Sequence, residues 1–158
     1  RPSNFPTIRL SQLARLYNKD SNMFSKVIKA KTKDELYKIF NISTSKYWES
    51  HFTFGKTSNT IKKRITEAFV DLLVINTIVP LQFSYAKHQG KIIDDSDLML
   101  IQQISSEKNT IVDKYHHLKP VSKTALHSQA LIQLKTEYCD KNKCLQCEIG
   151  NTLLTRID

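Results

Sequence analysis

The three cysteines have the most distinctive chemical spacing in this sequence. Cys139, Cys144 and Cys147 form the pattern Cys-x4-Cys-x2-Cys. Three thiolates at this spacing can occupy three corners of a tetrahedral structural zinc site, with a histidine or Glu148 as the fourth ligand. His127 lies about 18 Å before Cys139 along a continuous helix, so it can ligate only if the chain folds back or the helix ends early. Inert, partly buried thiols are the competing interpretation.

A second group of residues that could act in catalysis, one aspartate and two histidines, follows Asn109. Asp113 stands three residues before His116 and four before His117. On a helix its carboxylate can therefore orient an imidazole for metal binding or general-base catalysis. No HExxH motif, P-loop or GxSxG motif is present. Surface histidines beside a helix acid explain the group more simply, and a metal-dependent hydrolase using Asp113 and His117 is kept as an alternative function.

All of the net positive charge lies in the first 70 residues. The chain has 24 Lys plus Arg against 15 Asp plus Glu, a net charge of +9, and residues 1–70 hold 14 of the former and 5 of the latter. The run Lys62, Lys63 and Arg64 could follow a phosphate backbone, and aromatic side chains such as Trp48 could stack on bases. The alternative is that the aromatics form core and the lysines only solvate the surface.

Composition limits the architecture that positions these groups. A length of 158 residues fits one domain, and 40% hydrophobic residues suffice for a core. Three Gly and four Pro are too few for the turns of an all-β sandwich or barrel. The stretch 68–83 is very apolar, but Asp71, Asn76 and Pro80 interrupt it. We therefore expect a buried central helix and no membrane association. The odd, clustered cysteines favour the reducing cytoplasm.

Helical periodicity dominates the chain. Pro6 is expected to begin the first helix, Thr32 and Glu35 to form a capping box, and a long helix to run from about Ser58 towards Pro80. The aromatic segment 47–55 is expected to be partly helical and to end at Gly55. Asp94, Asp95 and Asp97 are expected to cap a later helix, and further helices are expected at 109–118 and 123–138. These patterns predict a single all-α domain over residues 1–158, an irregular bundle of about seven to eight helices around one apolar central helix.

Five spaced motifs resemble the C-terminal part of a bacterial family, largely from Bacteroidota, described as domain of unknown function 2851. They are Arg1-Pro2-x-Asn4-Phe5-Pro6-x-x-Arg9, Tyr47-Trp48-x-x-His51-Phe52-x-Phe54-Gly55, Ile75-Asn76-Thr77-x-x-Pro80, Ser128-Gln129 and Tyr138-Cys139-x4-Cys144-Leu145-x-Cys147-x-Ile149-Gly150. The resemblance implies a preceding region of a few hundred residues with nuclease-like acidic and His motifs, hence a nucleic-acid context. None of those motifs is present here, so no catalytic residue is carried over.

The first motif has two interpretations. Arg1, Asn4 and Arg9 could form a polar site for phosphate or carboxylate beside Trp48 and His51. Alternatively the segment is an entry strap fixed by its prolines and anchored by Phe5.

Together these patterns predict a non-catalytic, cytoplasmic accessory domain that contacts nucleic acid and the N-terminal region of the same protein. The alternative is a structural or protein–protein interaction module with no nucleic-acid role. The candidate nucleic-acid-binding residues are Arg1, Arg9, Trp48, His51, Lys62, Lys63 and Arg64, and the candidate zinc ligands are Cys139, Cys144 and Cys147.

Overall fold

A computed structural model describes residues 4–92 and 98–155. The chain divides into two compact units, Arg1–Leu100 (unit 1) and Ile101–Asp158 (unit 2). The single domain expected over residues 1–158 stays a prediction. Arg1 and the predicted caps Asp94, Asp95 and Asp97 lie outside the described residues.

Helices dominate the described residues, so the all-α class predicted from the sequence is confirmed. Unit 1 contains α1 (Pro6–Lys19), α2 (Met23–Lys29), α3 (Lys33–Ile39), α4 (Lys46–Glu49), the strands β1 (His51–Thr53) and β2 (Lys56–Thr57), α5 (Glu67–Leu73) and α6 (Val79–His88). A further short helix, α7 (Met99–Gln102), spans the boundary between the units.

Local sequence signals set several of these helix starts. Pro6 occupies the first turn of α1, where its missing N–H would lack an intrahelical partner anyway. The Thr32 hydroxyl accepts from the Glu35 amide at 3.3 Å, which confirms the predicted cap. In a standard capping box the Glu35 carboxylate would accept from the amide of the N-cap, Thr32. Here it accepts from the amide of the preceding residue, Lys31, at 2.8 Å.

The central apolar helix is continuous from Glu67 to His88, because α5 and α6 are joined by a π-helical turn, Val74–Ile78. Pro80 follows this turn and has no N–H to donate, so the wider turn accommodates it without ending the helix. By length and composition this helix could cross a membrane, although core helices of soluble proteins pass the same test. Four of its residues are buried, namely Val70, Val74, Ile75 and Ile78.

The expected helix start at Ser58 is wrong. Residues 58–65 are not helical: their backbone forms hydrogen bonds with residues 42–50, Arg64 pairs with Ser43, and the helix begins at Glu67 after the N-cap Thr66. Ile61 and Ile65 are four residues apart, a spacing that fits both a helical period and the two-residue period of a strand. Pairing with a distant segment therefore decides between the two.

Tyr37 of α3 is tied to Asp71 of α5 by a hydrogen bond in which the phenol donates at 2.7 Å. Burial, followed by this bond to Asp71, raises the pKa of Tyr37. The phenol therefore stays protonated in the folded chain at pH values where it ionises in the unfolded chain. The stabilisation is fully present below about pH 10 and is lost as the pH rises towards the folded-state pKa.

Tyr37→Phe is expected to destabilise the chain by about 1–2 kcal/mol at pH 7, because the Asp71 carboxylate loses a donor. The difference from the wild type should shrink above about pH 10, where the wild type alone loses the tyrosine contribution. Urea denaturation at pH 7 and near pH 10.5 measures both effects. Equal midpoints at pH 7 would show that the bond contributes nothing.

Unit 2 contains α8 (Thr110–Leu118), α9 (Ala125–Gln133), a π-helical segment (Leu134–Cys139), a 3-10 turn (Cys144–Gln146) and α10 (Glu148–Thr155). The predicted start of α8 is confirmed, because the Asn109 side chain accepts from two amides of the first turn. In α9 the buried positions are Ala125 and Ser128. Gly150 lets α10 lie against the 3-10 turn, since a Cβ there would stand 2.5 Å from the Cys144 carbonyl oxygen.

Candidate nucleic-acid interface

A β-hairpin carries the aromatic segment that the sequence singled out. β1 and β2 pair antiparallel, with His51 opposite Thr57 and Thr53 opposite Lys56. Gly55 forms the turn at φ 70°, a left-handed conformation that glycine adopts without steric cost. Gly55 therefore turns the chain back on itself between β1 and β2. The hairpin was missed because its strands are only three and two residues long.

Four rings pack together on α4 and the hairpin, and we call them the aromatic cluster: Tyr47, Trp48, His51 and Phe54. The Trp48 ring meets the rings of Tyr47 and Phe54 edge-on, with centroids 5.1 and 5.0 Å apart. The His51 ring is stacked on Tyr47 at 4.0 Å and 10°. The Tyr47 hydroxyl also accepts from the Gly55 amide at 3.2 Å. The cluster is therefore held in one arrangement by its own contacts.

The aromatic cluster lies at the surface. Phe54 is 79% exposed and Tyr47 is 42% exposed, while Trp48 and His51 are half-buried. The alternative expectation, that these aromatics form the core, is thus wrong for Phe54 and Tyr47. Phe52 points elsewhere: its ring packs edge-on against Phe5 at 5.8 Å, and its carbonyl accepts from the Thr7 hydroxyl. These contacts join the hairpin to the start of α1, in agreement with the strap interpretation.

Lys63 has a structural role in this region. Its ammonium donates to the carbonyl oxygens of Trp48, Glu49 and His51, at 2.7 Å for Glu49 and 3.3 Å for His51. It also lies 4.3 Å from the centroid of the Phe52 ring. Burial lowers the pKa of this ammonium. Lys63 therefore binds the backbone where α4 passes into β1, and its charge is not free to meet a phosphate.

Lys62 and Arg64 differ from the lysine between them, because both are exposed. The segment is extended here: the Thr44 amide donates to the Lys63 carbonyl at 3.1 Å, and Arg64 pairs with Ser43 in an antiparallel bridge. Successive side chains of an extended segment point to opposite sides. Since Lys63 points inwards, its two neighbours point away from it.

Arg9 of α1 packs against α5. Its guanidinium carbon stands 3.5 Å above the centroid of the Phe69 ring, and its Nη1 donates to Gln12 at 2.9 Å. These contacts do not include His51 or Trp48, and a polar site that joins Arg9 to them stays a prediction. Asn4 is exposed.

The groups considered for catalysis lie at the surface of unit 2. Asp113, His116 and His117 are all exposed on α8. Among residues 4–92 and 98–155, no three His, Cys, Asp or Glu side chains are grouped so as to hold a metal ion. Among these residues, no contact of Asp113 or His117 supports the alternative function as a metal-dependent hydrolase.

The cysteines are unpaired thiols, with Cys139 and Cys144 exposed and Cys147 buried. The Tyr115 hydroxyl lies 3.7 Å from the Cys139 sulfur. Burial, followed by this contact, raises the pKa of Tyr115 to about 12. A structural zinc bound by the three thiolates stays a prediction.

One comparison with known proteins gives a match. A family model described as "Protein of unknown function (DUF2851)" matches residues 1–110, which include unit 1 with its hairpin. The cysteine motif lies beyond the matched residues. No match was found among curated proteins or among solved structures.

Proposed function

Because the chain belongs to the family described as protein of unknown function (DUF2851), we propose a function from the hairpin itself: unit 1 binds single-stranded nucleic acid. The observation that carries the proposal is the exposed, internally braced aromatic cluster on a basic stretch of chain. In this role unit 1 is a non-catalytic binding module, as the sequence predicts.

Stacking is the first support. A base stacked on an aromatic side chain contributes about 1–3 kcal/mol, and every base offers a π-face regardless of its identity. Phe54 stands at the hairpin turn with most of its surface in solvent, and Tyr47 is close beside it, with ring centroids 6.1 Å apart. Duplex bases are already stacked on one another, so exposed rings of this kind favour single strands.

Charge is the second support. Residues 46–64 contain five cations and one acid, Glu49. Four of the cations are exposed, whereas Lys63 is bound to backbone carbonyls. Neutralising phosphates releases condensed counterions, which contributes affinity that depends strongly on salt. The exposed cations of the hairpin region are Lys46, Lys56, Lys62 and Arg64.

A salt series tests the proposal. A fluorescently labelled single-stranded oligonucleotide, as DNA and as RNA, is titrated with the chain between about 0.05 and 0.2 M salt. If the four exposed cations meet phosphates, the plot of log K against log salt should have a slope of about −3, because each contact on a single strand contributes about −0.7. The same sequence as a duplex should bind more weakly. Absence of binding at low salt by the folded chain would refute the proposal.

The alternative function is a docking surface for another protein. It predicts no oligonucleotide binding at any salt concentration, so the same titration separates the two functions.

A further inference from the structure

A second surface of unit 1 has a different character from the hairpin. A groove of about 420 Å³ lies between α1, α2 and the α5–α6 helix. This volume falls within the range of small-molecule sites, about 300–1,000 Å³. Two of its aromatic side chains are largely exposed, Tyr17 at 61% and Phe24 at 53%. The walls are almost entirely apolar and include Leu13, Tyr17, Phe24, Phe69, Leu73 and Leu81.

Among the described residues, Arg9 is the one charged side chain that lines this groove. Gln12 fixes it in place: the Gln12 side-chain oxygen accepts from the guanidinium, and its amide nitrogen donates to the Lys63 carbonyl at 3.2 Å. Within the described part of the chain the guanidinium makes that single hydrogen bond, and its Nε is buried without a partner. A guanidinium has five N–H donors, so most of its hydrogen-bonding capacity is unused.

We propose that the groove binds an amphiphile with one carboxylate and an alkyl chain, the chemistry of a fatty acid. The alkyl chain lies along the apolar walls and the carboxylate pairs with the Arg9 guanidinium, whose planar fork matches a carboxylate in a bidentate pair. Burial lowers the pKa of Arg9, which means that its positive charge is incompletely solvated. A bound anion would stabilise that charge. With Arg9 as the cation that the described residues supply, and with apolar walls, the groove disfavours polyanions such as nucleotides.

Calorimetric titration with dodecanoate and dodecanol, both below their aggregation concentrations, tests this site. The two probes share the alkyl chain and differ in the head group. Dodecanoate is expected to bind with one molecule per chain and about tenfold or more tighter than dodecanol, because only the carboxylate can make charge-assisted hydrogen bonds. Binding of many molecules per chain, or equal affinity for both probes, would overturn the proposal.

Two variants locate the site. Arg9→Gln should remove the preference for dodecanoate and leave dodecanol binding unchanged, whereas Arg15→Gln removes the same charge from an exposed position of α1 and should change neither. Thr77→Phe places a ring in the groove and should abolish binding of both probes. Fluorescence of Trp48, the single tryptophan, reports whether each variant retains the fold around the hairpin. An equal loss of preference in Arg9→Gln and Arg15→Gln would contradict the site.

The oligonucleotide titration does not involve the groove. Failure of dodecanoate binding therefore leaves the nucleic-acid proposal untouched, and the reverse also holds.

Discussion

Charge reversal at Lys62 and Arg64 is expected to weaken binding of a single-stranded oligonucleotide by about 25-fold or more at about 0.1 M salt. Both side chains are exposed and project away from the inward-facing Lys63. Each phosphate contact on a single strand contributes about 0.7 to the salt exponent, so its loss lowers the affinity about fivefold at about 0.1 M salt. The loss of two contacts therefore lowers it about 25-fold. The double variant Lys62→Glu/Arg64→Glu should also flatten the salt dependence, with the slope reduced in magnitude by about 1.4.

Lys87→Glu/Lys91→Glu is the matched control. It makes the same change in net charge at two exposed residues of unit 1 outside the hairpin. Its affinity for the oligonucleotide should stay within about threefold of the wild type, since distant exposed charges are largely screened at this salt concentration. If both double variants lose the same affinity, binding follows overall charge and the hairpin is not the site.

Lys63→Met is expected to be the most destabilising single change near the hairpin, by about 3 kcal/mol. The variant keeps much of the apolar stem but removes three hydrogen bonds from a charged donor to the Trp48, Glu49 and His51 carbonyls. Hydrogen bonds that involve charged groups contribute about 1.5–3 kcal/mol each. The loss is smaller than the sum of three such bonds, because water can reach the freed carbonyl oxygens and hydrogen-bond to them. Urea denaturation followed by Trp48 fluorescence measures the effect at the affected site.

Lys62→Met makes the same chemical change one residue away, at an exposed position. It should alter the free energy of unfolding by about 0.5 kcal/mol or less, as surface substitutions usually do. Comparable destabilisation in the two variants would mean that the carbonyl contacts of Lys63 do not stabilise the hairpin. Lys63 is also unsuitable for testing nucleic-acid binding, because its variants are expected to disturb the fold.

Most helices could be predicted from local signals. Pro6 and the Thr32 cap with Glu35 act within one turn of helix, so the sequence alone is sufficient to place them. The segment 58–65 could not be placed in this way. Its extended conformation depends on backbone pairing with residues 42–50, and its spacing of isoleucines is compatible with a helix. Gly55 signals a break in either case, but only the pairing of β1 with β2 shows that the break is a hairpin turn.

The candidate site was predicted in part. The aromatic motif forms α4 and the hairpin, and the basic run pairs with residues 43 and 44 before them, yet the run contains residues with different roles. Lys63 is internal and its two neighbours are exposed, a distinction that depends on which side of the strand faces α4. Arg9 was grouped with the aromatic cluster, although it packs on Phe69 of α5. Contacts between residues sixty positions apart leave no local signal in the sequence.

Photo-crosslinking to a 5-bromouracil-substituted oligonucleotide tests the central claim most directly. The wild-type chain is irradiated with the labelled single strand at low salt, and the crosslinked peptide is identified by mass spectrometry. Crosslinks should fall on Tyr47 and Phe54, because these are the exposed rings on which a base can stack. Crosslinks confined to unit 2 or to helices outside residues 46–64, or an uncrosslinked strand under conditions where the chain is folded, would contradict the account.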